Sequence, residues 1–269
     1  MAHSAISLAL QVLQTADPVA KAQAARILRQ EWLERGVVGV TVNNIPVMPA
    51  RPAKPILVAP HDVPRRGIGT AEGRGALLHA IAHIELNAID LAADMIARFS
   101  FDPLLAEEDR GDFITDWTSV CDDEARHFLL LHDRLAELGM TYGDCPAHNG
   151  LWDAAQNTAN AFTARLAIAP LVLEARGLDV TPGMIKKLTQ VGDMDSVAVL
   201  EVIYEEEIGH VAIGAKWFQY VARIAGKNPV ELFHDQVQTY FTGRVKPPFN
   251  VQARTLAGLT EEFYRPLAI

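Results

Sequence analysis

Apolar residues recur along most of the chain at helical spacing, and no strand-like alternation of any length appears. Residues 4 to 34 are predicted to be helical, with a weak break at Asp17-Pro18 and an end at Gly36. Six prolines follow between Pro46 and Pro64, and they forbid a helix. The apolar residues between them favour a segment that wraps onto the protein, and a plain linker is the alternative.

Four long helices are predicted between residues 70 and 226. The first is capped by Thr70, and Gly139, Gly177 and Gly226 end the others. The four predicted spans are 70 to 99, 112 to 138, 151 to 176 and 196 to 225.

Shorter helices complete the pattern. One is predicted to begin at Thr181-Pro182, and two more cover about 229 to 241 and 251 to 264. The predicted fold is all-α, a four-helix bundle with added terminal segments. Its parts are a helical and Pro-rich extension (1–69), the bundle core (70–226) and a C-terminal helical extension packed on the core (227–269).

Composition excludes several classes of protein. The formal net charge is −9, which disfavours general binding to nucleic acid. No stretch of about 18 residues is uniformly apolar, which argues against a membrane span, and the N-terminus lacks the basic start of a signal peptide. The only cysteines are Cys121 and Cys145, which suits a reducing compartment. We therefore expect a soluble cytoplasmic protein.

The stretch DDEARHF places Glu124 and His127 three positions apart within the second long helix. Residues at this spacing share one helix face and can share a ligand. The fourth helix repeats the pattern with Glu207 and His210 in YEEEIGHVAIG. A single pair of this kind is commonly surface charge, but a pair on each of two long helices matches half of a carboxylate-bridged two-metal centre.

The other two helices must then supply one carboxylate each. Glu85 lies on the apolar face of the first long helix, and Glu174 stands nearly alone in APLVLEARG of the third. A carboxylate in an apolar stripe needs a metal or a cation, because burying it unpaired is costly. The predicted ligands are therefore Glu85, Glu124, His127, Glu174, Glu207 and His210.

Carboxylate and imidazole ligands suit two Fe ions, two Mn ions or a mixed pair, whereas soft metals prefer thiolate. Open metal positions facing a pocket would allow dioxygen to bind. The site therefore predicts an oxidoreductase that oxidises or hydroxylates a small molecule or a modified RNA base, with an electron-transfer partner. The alternatives are a ferroxidase or storage protein without organic substrate, and a helical scaffold with structural acids.

The arrangement resembles ferritin-like di-iron carboxylate proteins, and DEARH resembles the motif of their oxygen-activating hydroxylases. More closely, the chain resembles the ferritin-like family known as domain of unknown function 455 over roughly residues 40 to 265. The stretches that carry this resemblance are HAIAHIELNAIDLA, DEARHF, YGDCPAHNGLW, LEARGLDVTP, IGHVAIG and PPFNVQAR. The resemblance implies a ferritin-like bundle with the six ligands. MiaE-like tRNA hydroxylases are a more distant analogue.

Asp123 and Glu206 directly precede the ligands Glu124 and Glu207. A metal-bound imidazole usually donates its other N–H to a carboxylate. The resemblance to the di-iron hydroxylases implies a crossed pairing, in which Asp123 accepts from His210 and Glu206 accepts from His127.

Other polar residues receive simpler interpretations. His79 and His83 lie four apart like zinc ligands, but position 80 is alanine rather than the glutamate of a zinc protease, so contacts with another part of the fold are favoured. Pro170 should bend the third helix. Arg126, Arg165 and Arg254 could contact an anionic substrate, but positions at the surface or in pairs with carboxylates are favoured. A homodimer is compatible with the sequence.

Overall fold

The computed structural model describes residues 4–64 and 67–268, where the regular structure is helical and no strand occurs. The predicted all-α class is therefore confirmed, and it is consistent with a ferritin-like bundle. The α-helices are α1 (Ala5–Gln14), α2 (Pro18–Arg35), α3 (Ala71–Phe99), α4 (Arg110–Glu137), α5 (Gly150–Asn157), α6 (Phe162–Ile168), α7 (Ala175–Gln190), α8 (Met194–Ile224), α9 (Pro229–Tyr240), α10 (Val251–Leu256) and α11 (Glu261–Tyr264). Short 3-10 turns cover Pro60–Asp62, Glu107–Asp109 and Arg265–Leu267, and Ala169–Glu174 is π-helical.

The chain forms two compact units. The first contains Met1–Trp152 and Leu188–Val199, and the second contains Asp153–Lys187 and Leu200–Ile269. The division into extension, core and extension that the sequence suggests stays a prediction.

In the first unit, α3 packs along α4, and α1 and α2 pack on this pair. Buried leucine, isoleucine and aromatic side chains such as Leu86, Ile89, Phe113 and Phe128 fill the space between the helices, and removing their apolar area from water stabilises the unit. The predicted cap of α3 is confirmed, because Thr70 Oγ1 accepts a hydrogen bond from the Gly73 amide at 3.1 Å.

The Pro-rich segment is held on the first unit by hydrogen bonds from its backbone. The Val47 carbonyl accepts from Trp152 Nε1 at 2.9 Å. The Ala50 amide donates to Leu13 O at 2.7 Å, and the Val58 amide donates to the Ala147 carbonyl at 2.8 Å. The segment therefore wraps onto the protein, as its apolar residues predict.

The second unit departs from the predicted third helix, which is wrong as a continuous helix from 151 to 176. The chain leaves helical geometry after Asn157 and resumes it at Phe162. The buried Arg165 explains the break, because its guanidinium donates to the Ala155 carbonyl at 2.6 Å and to Thr158 Oγ1 at 2.8 Å. These bonds satisfy the end of α5 and tie it to α6.

The predicted stop at Gly177 and the predicted start at Pro182 are also wrong, since α7 runs through both positions. A proline within a helix leaves the carbonyl four residues earlier without its usual donor. Here that carbonyl belongs to Leu178, and Asn250 Nδ2 donates to it at 3.1 Å. A contact from a distant segment therefore replaces the lost helical bond.

The remaining helices follow the pattern more closely. Asn228 caps α9 with Pro229 in its first turn, and α8 spans the predicted fourth helix. The predicted last helix is wrong as a single element, because Gly258 takes a φ of 76° between α10 and α11. That left-handed conformation ends a helix and favours glycine.

Among the described residues, only α3 is long and apolar enough to cross a membrane by length and composition. Within its most apolar window, 78% is buried inside the protein. Such burial is what the core helix of a soluble protein shows.

Candidate metal centre

Glu124 and His127 lie one turn apart on α4, and both are fully buried. Their face of the helix is otherwise apolar, with Cys121, Phe128 and Leu131 buried beside them. His127 Nδ1 lies 3.4 Å from Glu124 Oε2. The predicted pair on this helix is therefore directed into the protein interior rather than toward solvent.

Glu85 of α3 joins this pair. It is 3% exposed, and its Oε2 lies 3.3 Å from His127 Nδ1. One ligand atom from each of Glu85, Glu124 and His127 lies within 4.8 Å of the others, which is close enough to hold a metal ion. The packing of α3 on α4 thus brings together three of the six predicted ligands within the first unit.

Burial makes this cluster electrostatically unusual. The pKa of Glu85 is raised well above its usual value, first by burial and then by the charge of Glu124. Burial opposes a charged His127, but hydrogen bonds and attraction from Glu124 and Glu85 raise the pKa of the imidazole to about 11. Without a metal, the raised pKa values keep protons on Glu85 and His127, and these protons reduce the repulsion between the buried carboxylates. A metal cation could replace them.

The second unit contains the other Glu-x-x-His pair. On α8, His210 Nδ1 lies 3.6 Å from Glu207 Oε2, with His210 buried and the Glu207 side chain 12% exposed. The two side chains share one face of their helix, as Glu124 and His127 do on α4. The spacing of three therefore produces the same local geometry twice.

Glu174, the remaining predicted ligand, is half-buried and ends the π-helical turn Ala169–Glu174. The predicted disturbance at Pro170 is found as this turn, and single π-helical turns occur often at functional sites. Gly214 allows α8 to lie close to this turn, because a Cβ at Gly214 would lie only 2.3 Å from Pro170 Cβ. The glycine is therefore required where α8 packs on the turn.

The sequence model of the family described as "Protein of unknown function (DUF455)" matches residues 14–265. The chain belongs to the DUF455 family. A relative from Haemophilus influenzae strain Rd, described as an uncharacterized protein, is 40% identical over 258 residues, covering 93% of this chain and 88% of the relative. No solved structure matches significantly.

In this DUF455 protein, Asp123 lies on the flank of α4, half-buried, and its Oδ1 accepts from Arg126 Nη2 at 2.7 Å. Glu206 is also half-buried on α8. The crossed pairing with His210 and His127 stays a prediction. Arg126 is paired with a carboxylate, as the sequence favoured.

His79 and His83 of α3 do not join the candidate centre; they hold the loop 141–149. His83 faces the Tyr142 hydroxyl at 2.8 Å and the His148 carbonyl at 3.1 Å, and His79 Nε2 accepts from the Gly143 amide at 2.8 Å. Burial is the main cause that lowers the pKa of His83, to about 4. Both imidazoles therefore contact another part of the fold, as predicted, and their lowered pKa values keep them neutral near pH 7.

Sequence reasoning missed a buried charge network in the same unit. Lys21 of α2 contacts Asp90 of α3, and both are fully buried. Arg51 of the Pro-rich segment lies 3.1 Å from Asp90 and donates to Asn87 at 2.7 Å. Asp90 lies between Ile89 and Leu91, five residues after Glu85, and an acid among these apolar neighbours was the available signal.

Proposed function

We propose that this protein is a ferritin-like di-metal carboxylate protein, with two iron ions as the favoured metals and manganese or a mixed pair as the other choices. We further propose that it is an oxidoreductase that activates dioxygen to oxidise or hydroxylate an organic substrate. The convergence of Glu85, Glu124 and His127, all buried, is the observation that carries this proposal.

The donor set fits the metal. Two carboxylates and an imidazole are hard-to-intermediate ligands, which suit Fe(II) and Mn(II). Cys121 lies one turn before Glu124, but burial raises the pKa of its thiol well above the usual range, so it remains a neutral packing residue. The apolar residues around these acids supply no positive charge, so a bound cation or the proton on His127 must compensate them.

The doubled pattern supports a centre for two ions. Glu207 with His210 repeats the local geometry of Glu124 with His127, and Glu174 is the carboxylate that would correspond to Glu85. We propose that all six residues belong to one di-metal centre, as helix pairs do in ferritin-like proteins. The π-helical turn that ends at Glu174 supports a functional role for this carboxylate.

The chain's own residues would hold the ions, orient the imidazoles and exclude water. The metal pair, when bound, would supply electrons and a Lewis acid for dioxygen chemistry. In a hydroxylation, one oxygen atom enters a substrate C–H bond and the other leaves as water, with electrons from an electron-transfer partner and protons from solvent. A small molecule or a modified base is the proposed substrate, a cytoplasmic setting is proposed, and a homodimer is a further proposal.

We propose that Asp123 and Glu206 orient the metal-bound imidazoles in the crossed arrangement. Replacing either by alanine would then weaken metal binding by roughly 10–100-fold, which is the usual loss when such a partner is removed. Metal titration of Asp123→Ala and Glu206→Ala measures this, and affinities equal to that of the parent would contradict the crossed arrangement.

Dioxygen consumption separates the proposed oxidoreductase from an iron-storage protein. Protein loaded with Fe(II) under anaerobic conditions is exposed to dioxygen, and the oxygen consumed and the iron retained are measured. We expect consumption in proportion to the bound iron, without growth of a mineral core. Uptake of many further iron ions per chain would instead favour storage.

A further inference from the structure

The second unit contains a cavity of about 80 Å³ that opens to solvent and that the metal site does not use. One side is formed by Leu171–Leu173 of the π-helical turn and by the first residues of α7, and the other by the C-terminal part of the chain. Half of its apolar lining is aromatic, contributed by Phe233, Phe241, Phe249 and Tyr264. An apolar and aromatic lining with a few polar groups is typical of a site for a small organic molecule.

The polar lining of this cavity is strongly positive. Arg176, Arg244, Lys246 and Arg254 face it, against a single acid, Asp179. This excess of positive charge occurs in a chain whose net charge is −9. A local positive cluster on an acidic protein selects for an anionic ligand.

Arg254 and Arg176 already form hydrogen bonds within the protein. Arg254 donates to Asp179 through Nε at 2.9 Å and Nη2 at 2.7 Å, and Arg176 donates to the Lys246 and Pro248 carbonyls at 2.9 and 3.0 Å. These bonds neutralise Asp179 and fix the wall of the cavity. Arg244 and Lys246 are exposed, and within the described residues neither forms a salt bridge.

Tyr264 gives an independent indication of a ligand. It is 1% exposed, and its buried hydroxyl has no hydrogen-bond partner among the residues that the structure describes. A buried hydroxyl without a partner costs free energy, so such groups are uncommon. The Arg254 guanidinium lies over the Tyr264 ring at 4.5 Å from its centroid, which holds the ring in place.

We propose that this cavity binds a small organic anion. Its carboxylate or phosphate group would contact Arg244, Lys246 and the Tyr264 hydroxyl, and its apolar or aromatic body would pack on Phe241 and Phe249. Inorganic phosphate alone would leave the aromatic wall unused, and a neutral apolar molecule would leave the cations and the hydroxyl unused. All these residues lie outside the predicted metal ligands, so the site binds its anion with or without metal.

Calorimetric titration of metal-free and metal-loaded protein tests this site. The anionic probes are 2-naphthoate, decanoate and phenyl phosphate, and the comparison probes are neutral 2-naphthamide and inorganic phosphate. We expect saturable binding of at least one organic anion, tighter than either comparison probe and equal in both metal states. The carboxylate and phosphate probes also show which anionic group is preferred.

Three variants locate the binding. Tyr264→Phe removes only the unpartnered hydroxyl, so it should weaken anion binding by about tenfold, the value of one hydrogen bond to a charged group, without lowering the melting temperature. Arg244→Gln with Lys246→Gln should weaken it at least as much. Lys187→Gln, an exposed change on α7 away from the cavity, is the matched control and should bind like the parent.

Two results would overturn the proposed anion site. One is that no organic anion binds more tightly than 2-naphthamide, and the other is that the Arg244 and Lys246 double variant binds as tightly as the parent. Loss of metal with intact anion binding would contradict the proposed di-metal function alone.

Discussion

His127 Nδ1 lies 3.3 Å from Glu85 Oε2, and this contact joins two buried side chains that are 42 residues apart on α3 and α4. The same nitrogen lies 3.4 Å from Glu124 Oε2. One imidazole atom is thus directed at carboxylates from two helices. A metal ion would replace the proton that this nitrogen carries in the metal-free protein.

Glu85→Gln should separate metal binding from stability. The change keeps the shape of the side chain and removes its charge, so metal should no longer raise the melting temperature. Burial and the charge of Glu124 both disfavour the Glu85 carboxylate, so the metal-free variant should be at least as stable as the metal-free parent. Denaturation with chelator and with added Fe(II) or Mn(II) measures both effects.

Glu201→Gln is the matched control for this experiment, because Glu201 is exposed on α8. It should retain the metal-dependent rise in melting temperature. A Glu85→Gln variant that is stabilised by metal as strongly as the parent would contradict the role of Glu85.

Metal affinity should rise with pH. The pKa of His127 is raised from 6.5 to about 11, so its protonated form stabilises the metal-free protein below pH 6.5, and this contribution is lost as the pH rises through about 11. The pKa of Glu85 is also raised, so the stability of the metal-free protein falls further as the pH rises above 4.5, the ordinary pKa of this carboxyl. A metal ion must displace the His127 proton, so affinity should increase by about tenfold per pH unit for each proton released. Titrations between about pH 6 and 8 measure the slope, and an affinity independent of pH would contradict it.

Gly214→Ala tests the contact between α8 and the π-helical turn. The added Cβ would collide with Pro170 Cβ at 2.3 Å, so the free energy of unfolding should fall by about 1–3 kcal/mol, as for other overpacked sites. Gly209→Ala is the control on the same helix, because that position is exposed with no atom within 4 Å of the added Cβ. It should stabilise the protein by about 0.5–1 kcal/mol. Equal effects of the two substitutions in urea denaturation would show that α8 does not pack tightly on the turn.

Asp90→Asn should destabilise the first unit more than Lys21→Met. Removing Asp90 leaves Lys21 and Arg51 both buried or half-buried without their carboxylate, which should cost about 3–5 kcal/mol. Removing Lys21 leaves Asp90 paired with Arg51, so its cost should be smaller. Urea denaturation of both variants gives the order, and the reverse order would mean that Arg51 does not compensate Asp90.

Local pattern predicted much of the fold and of the candidate site. Glu124 and His127 could be found because a spacing of three fixes their common face on any helix. Glu85 could be found because an acid on an apolar stripe needs a cation. Thr70, Gly36 and Asn228 mark helix ends through bonds within a few residues of themselves.

The errors lie where distant residues decide the local structure. Gly177 and Pro182 are ordinary helix-ending signals, but Asn250 supplies the donor that Pro182 cannot. The break before α6 depends on how Arg165 folds back on Ala155, which no local signal reveals. The Lys21–Asp90 pair joins residues 69 positions apart, so only the packed structure shows that each has a partner.

A metal analysis combined with anomalous scattering from crystals tests the central claim most directly. Protein produced in medium rich in iron and manganese should contain about two metal ions per chain. The anomalous peaks should lie within bonding distance of Glu85, Glu124 and His127. Protein that remains without metal after reconstitution with Fe(II) and Mn(II), or anomalous peaks away from these three side chains, would contradict the account.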